Sequence, residues 1–158
     1  CEGNQALANQ LAEQFNVPIK DFESILADNN IQGIVIATPA ATHVALVTQA
    51  LQAGKHVFVE KPLALNINDA EKLCNLAKKQ NRILMVGHLL QYHPGFLKLL
   101  EIVQQGELGK IQYIYSNRLS LGKFRSEENV LWSFAPHDIS MILALAHQQL
   151  PNEVFAIG

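Results

Sequence analysis

The sequence predicts an α/β fold, a doubly wound parallel sheet followed by part of an open-sheet α+β region, on three observations. Short apolar runs at residues 34–36, 56–59 and 83–86 have the length and composition of strands buried on both faces. Segments with helical apolar spacing separate them, and strand and helix alternating at this pitch mean right-handed βαβ units. Residue types suited to chemistry gather where those strands end, at Thr38-Pro39, Glu60-Lys61-Pro62 and Gly87-His88. In open parallel sheets, ligands sit beyond the carboxyl ends of the strands.

The elements follow in order. Between residues 4 and 15, Leu7, Ala8, Leu11, Ala12 and Phe15 recur at helical spacing, and Asn16-Val17-Pro18 stops the helix. Asp21 opens a short second helix through Leu26, with Asp21 and Ser24 near its start. The first strand falls within residues 31–37; Thr38-Pro39 breaks it before a helix over 41–53 that Gly54 ends. Residues 56–59 form the second strand, and Glu60-Lys61-Pro62 its turn. A helix over 68–79 turns Ala70, Leu73, Cys74 and Ala77 inward, and residues 83–86 form the third strand. Beyond His88 the rhythm changes. A helix over 96–104 leads to one long, loosely alternating strand over 111–121, a polar stretch over 123–129 and an apolar helix over 139–146. A boundary near His88 divides the chain into 1–88 and 89–158.

Composition narrows the class. Hydrophobic residues make up 49% and charged residues 16%, with a net charge of −2 and both signs scattered. That argues against a nucleic-acid or membrane-surface partner, which needs a basic patch. No apolar run approaches the roughly 18–20 residues that span a bilayer, and no secretory signal is present. Cys1 and Cys74 sit in no CxxC or Cys/His spacing, so neither a metal site nor a disulfide framework is expected. Cys74 reads as a buried, inert thiol, and a reduced, cytoplasmic setting fits. The chain opens without Met and closes on what reads as the start of a strand, so both ends are expected to be cut from a longer protein.

Val35-Ile36-Ala37-Thr38-Pro39-Ala40-Ala41-Thr42-His43, followed by Ala53-Gly54-Lys55-His56-Val57-Phe58-Val59-Glu60-Lys61-Pro62-Leu63-Ala64, resembles the Gfo/Idh/MocA oxidoreductase family. Gly87-His88, Tyr92-His93-Pro94 and Pro136-His137-Asp138-Ile139 extend the resemblance over essentially the whole chain. Residues 117–121 and 129–143 look most like the branch that oxidises position 3 of UDP-N-acetylglucosamine-type sugars. The resemblance implies a partial NAD(P)-binding Rossmann domain over 1–88. Over 89–158 it implies part of a substrate and oligomerisation domain, in a protein that is a homo-oligomer at full length. The implied reaction is NAD-dependent oxidation of a secondary sugar hydroxyl to a ketone, feeding surface polysaccharide synthesis. An inositol or free-sugar dehydrogenase of the same family, or a non-catalytic nicotinamide-binding sensor, stands as the alternative.

The nine glycines nowhere form GxGxxG, the fingerprint that seats a pyrophosphate on a helix N-terminus. In the family it lies upstream of the position that Cys1 occupies. Cys1-Glu2 then resembles the end of the second strand, where an acidic residue bonds a ribose 2′-hydroxyl. Glu2 there would repel a 2′-phosphate and favour NAD over NADP. An exposed carboxylate aligned with a helix dipole explains Glu2 equally well.

Hydride transfer from an alcohol requires a positioned nicotinamide, a group that takes the hydroxyl proton, and a cation or donor near the developing oxygen charge. Lys61 stands just past a buried strand, with Pro62 restricting where its ammonium points; by itself, such a lysine also fits a solvated surface. The resemblance makes Lys61 catalytic, in contact with both nicotinamide ribose and reacting hydroxyl, and makes the Lys61-Pro62 bond cis. It makes His137, expected to start a helix after Pro136, the catalytic histidine, and an imidazole is suited to accept a proton near neutral pH. Many relatives carry Asp four residues before this His. Here Ser133 takes that place, so a Lys61 and His137 pair without a carboxylate is expected. Asp138 is expected to cap or to contact backbone.

Cofactor contacts are implied for Glu2, Ala37, Thr38, Pro39, His43, Glu60, Lys61 and His88. Substrate contacts are implied for Lys61, Tyr92, Asn117, Arg118, Arg125 and His137. Arg118, Lys123 and Arg125 are the cations for a diphosphate, and Asn117 and Asn129 the readers of sugar hydroxyls; a solvated strand edge and loop explain these residues too. Gln91 stands where many relatives carry Arg and takes no role, and His56, His93 and His147 read as structural.

Overall fold

The computed structural model describes residues 1–119 and 129–157. The chain forms two compact units, Cys1–Gly87 and His88–Gly158.

Unit one runs α1 (Gln5–Phe15), α2 (Phe22–Ala27), β1 (Gly33–Ile36), α3 (Ala40–Gln52), β2 (His56–Val59), α4 (Ile67–Lys79) and β3 (Leu84–Val86). The strands form one parallel sheet in the order β1-β2-β3. Three of the helices start on a short polar side chain that accepts an orphan backbone N–H: Asn4 from Leu7 (3.2 Å), Asp21 from Ser24 (2.6 Å) and Asn66 from Asp69 (2.9 Å). The Ser24 bonds hold the Asp21 carboxyl below the usual carboxylate range. Ile36, Val57 and Val59 from the strands pack with Val47, Ala50 and Leu51 of α3 and with Leu73 and Ala77 of α4 to make the core. Leu51, Val47 and Val59 are fully buried.

Two expectations change here. The strands were expected to be buried on both faces, yet Val35 is 70% and Ile83 65% exposed, because no described element covers that face of the sheet. Cys74 is exposed, not buried. Leu73 and Ala77, four apart, define the inward stripe of α4, and one residue past Leu73 the helix has turned by about 100°, toward solvent.

Unit two opens with a 3₁₀ turn (Leu89–Tyr92), then α5 (Pro94–Gln104) and α6 (Val130–Leu145). The expected strand over 111–121 is absent from the described part of that stretch: residues 111–119 join no ladder, and Tyr113 and Tyr115 are 85% and 78% exposed. Alternation gives a segment the tendency to extend, but a strand exists only when paired, and the described part of unit two offers no partner. The last helix begins at Val130, nine residues before its expected start, with Asn129 Oδ1 accepting from Trp132 N at 3.0 Å. Pro136 lies inside it rather than at its start. The proline removes one helical hydrogen bond, and the cap and the long apolar sequence around it carry the helix through.

Among the described residues no helix is long and apolar enough to cross a membrane, and no group of His, Cys, Asp and Glu is placed to hold a metal.

Candidate functional site

Parallel strands in register end together, so the turns that follow β1, β2 and β3 lie side by side. The ladder reaches its last bonds at Glu60 N to Ile36 O (2.9 Å) and Gly87 N to Val59 O (2.8 Å). Beyond them stand Thr38-Pro39 and Lys61-Pro62. The Lys61-Pro62 peptide is cis, as the resemblance implied. Lys61 is half-buried, and its backbone N–H donates to its neighbour Glu60 Oε2 at 3.3 Å. The Glu60 carboxylate lies against Gly87: a Cβ there would sit 3.1 Å from Oε2. Glycine leaves that space to the carboxylate, which would have to shift by a few tenths of an ångström to admit a methyl.

Glu2, Ala37 and Thr38 come together on a groove of about 480 Å³ beside β1, walled by Ile34, Ile36 and Leu46. Glu2 Oε1 accepts from Asn4 N at 2.9 Å, so the carboxylate is oriented by the start of α1. Thr42 Oγ1 donates to Pro39 O at 2.8 Å and lies 2.6 Å from Thr38 Oγ1. Thr42 has one hydroxyl hydrogen, so Thr38 is the donor of that pair and keeps its lone pairs for a ligand hydroxyl. An apolar slot with a carboxylate and a hydroxyl at its rim suits a nucleoside: a flat ring between aliphatic walls and ribose hydroxyls at the polar end.

His43 is placed differently from its expected role. It is 1% exposed, and its ring lies 2.7 Å from Pro62 O through Nδ1 and 2.8 Å from Thr38 O through Nε2. With both nitrogens engaged on backbone carbonyls, the side chain acts on the turns from beneath. Lys55 is also buried, with Nζ donating to Asp28 O at 2.7 Å. The two residues are 27 apart in sequence, and no local pattern signals that pair.

In unit two, His137 is half-buried midway along α6, and its carbonyl accepts from Ser140 Oγ at 2.8 Å. Ser133 lies one turn before it. Among the described residues the partners of Asp138 are side chains, not the expected cap or backbone: it accepts from Ser116 Oγ (2.9 Å) and Arg118 Nε (2.8 Å), tying residues 116–118 to α6. Burial alone would raise its carboxyl, but the bonds from Arg118 and Ser116 outweigh that and hold it below the usual range. Ser116, Arg118 and Asp138 line a groove of about 450 Å³ with Tyr115, Phe134 and Ile142. Arg118 reaches it with Nε already committed. Asn129 serves as the α6 cap, which takes its side-chain oxygen away from the sugar-reading role. His93 caps α5 through Nδ1, and Gln91 Nε2 donates to Ser140 O at 2.6 Å. His88 is half-buried at the entry of the 3₁₀ turn, while Tyr92 and Asn117 are exposed. Lys123 and Arg125 lie outside the described residues.

Residues 1–88 match the Gfo/Idh/MocA oxidoreductase family with its NAD-binding Rossmann fold. The chain belongs to that family. Among curated relatives, a UDP-N-acetylglucosamine 3-dehydrogenase of Acidithiobacillus ferrooxidans is 31% identical over 86% of this chain and 42% of its own. A myo-inositol 2-dehydrogenase of Thermotoga maritima is 30% identical over 88% of this chain and 43% of its own. Among solved structures, a 3-ketoreductase of Actinomadura kijaniata in complex with NADP and TDP-benzene is 28% identical, with a TM-score of 0.57, over 63% of this chain and 31% of that one. The chain thus spans less than half the length of each of these relatives.

Proposed function

We propose that this chain carries the cofactor-side turns and part of the substrate unit of an NAD-dependent dehydrogenase that oxidises a secondary sugar hydroxyl to a ketone, at position 3 of a UDP-linked amino sugar. Such a 3-keto sugar would feed amination in surface polysaccharide synthesis. One observation carries the reading: Glu2, Ala37 and Thr38 share one groove beside β1, and Lys61 stands at the end of the strand next to it. The 31% identity to a UDP-N-acetylglucosamine 3-dehydrogenase supports the sugar assignment.

The nicotinamide, when bound, accepts the hydride. The residues of this chain would take the following parts. Glu2 would take ribose hydroxyls, and its negative charge disfavours a 2′-phosphate. Ala37, Thr38, Pro39, Glu60 and His88 would line the cofactor. Lys61 would direct its ammonium to the hydroxyl oxygen, stabilising charge as the C–H bond breaks. His137 would take the hydroxyl proton. Tyr92, Asn117, Arg118 and Arg125 would hold the nucleotide sugar, Arg118 through the guanidinium nitrogens not bonded to Asp138.

The test is steady-state turnover of the protein at its natural length. UDP-N-acetylglucosamine should saturate it with NAD, and NADP should serve less well. Saturation by myo-inositol alone would replace this reading with the one its 30% identical relative suggests. Binding of nicotinamide cofactor with no turnover across a broad sugar panel would favour a sensor.

A further inference from the structure

We propose that His43 is a positioning residue that joins the Thr38 turn to the Lys61 turn, with one ring nitrogen on each turn's carbonyl. Regular pairing between β1 and β2 stops at Glu60 N to Ile36 O, 2.9 Å. Two residues further along each strand, the ladder would bring the N–H of residue 62 to the Thr38 carbonyl, but Pro62 has none, and a gap opens between the two turns. His43 fills it, with Nδ1 2.7 Å from Pro62 O and Nε2 2.8 Å from Thr38 O.

The ring is 1% exposed, so neither contact is shared with bulk water. It lies in the first turn of α3, with Ala40 and Val47 buried about one turn to either side. The consequence falls on Lys61: its following residue is held by the carbonyl, so the backbone that carries the ammonium is pinned to the first strand's turn.

Two measurements test this. In the 13C-labelled protein, His43→Gln, which has no ring to span the two turns, should shift the carbonyl resonances of both Thr38 and Pro62. Either carbonyl unmoved would overturn the assignment, whatever the protein's reaction. The second measurement rests on the dehydrogenase reading of Lys61. At natural length, His43→Phe keeps ring volume without donors and should lower kcat roughly 10- to 100-fold, as small misplacements do, with cofactor Kd changed less than about threefold. His43→Gln, which regains a donor, should recover part of that loss. A folded His43→Phe with unchanged kcat would also overturn the proposal. Should that variant fail to fold, the carbonyl shifts of His43→Gln still decide.

Discussion

The two units differ in how their extended segments end up. In unit one, β2 has a partner on each side, and its Val57 and Val59 are buried to 2% and 0% exposure. In unit two, residues 111–119 also carry strand-forming Ile and Tyr side chains but pair with no described residue, and Tyr113 is 85% exposed. The two stretches differ less in sequence than in company. Strand propensity is mostly the fit of a side chain to a pleated, half-covered surface, so it is realised only where a neighbour supplies that surface. The turns show the same contrast. Those of unit one are fixed by ladder bonds, by a glycine seat for Glu60 and by a buried histidine. In unit two the link between residues 116–118 and α6 is one carboxylate taking two bonds near the surface.

That contrast can be broken in order of expected effect. Leu51→Ala empties a fully buried position and should cost unit one about 2–5 kcal/mol by chemical denaturation. Tyr113→Ala should change stability by no more than about 0.5 kcal/mol, and a larger cost would mean that 111–119 is packed in solution. Asp138→Asn comes next. With its folded carboxyl held low, Asp138 stabilises unit two above its unfolded value, about 3.9, and that contribution is lost as pH falls through the folded value. Amide protection factors in α6, taken relative to the intrinsic exchange rate at each pH, should therefore fall on acidification more in the wild type than in Asp138→Asn. At neutral pH the variant should lose no more than about 1 kcal/mol. Equal acid sensitivity in the two would show that the Arg118 bond carries no stability. The smallest change in stability is expected for Gly87→Ala, because the methyl meets the mobile end of Glu60 at 3.1 Å and not backbone. Its effect should appear as weaker cofactor binding by calorimetry, with the thermal midpoint nearly unmoved.

What the sequence disclosed follows the same division. The strands and helices of unit one were legible to within one or two residues, because short apolar runs, helical apolar spacing and the Asp21 start are local signals. The Lys61 turn was legible from its motif. Non-local features were not. The reach of Asp138 to Ser116 spans 22 residues, and that of Lys55 to Asp28 spans 27. The face of α4 that holds Cys74 was misjudged because helical spacing gives a stripe without its exact edge. Pro136 was read as preceding the helix start, since proline favours a helix's first turn, while the Asn129 cap lay seven residues upstream. His43 was recognised as part of the site, but its burial beneath the turns depends on how β1 and β2 end together, which spacing alone does not convey.

The central claim is that the Lys61 turn carries the reacting centre. It is tested most directly by Lys61→Met at natural length, which keeps the length of the side chain and removes its charge. Turnover should fall by about a thousandfold or more, as losing a proton-handling or charge-stabilising group does, while cofactor Kd stays within a few-fold. Turnover equal to wild type, with the cofactor bound, would contradict the account.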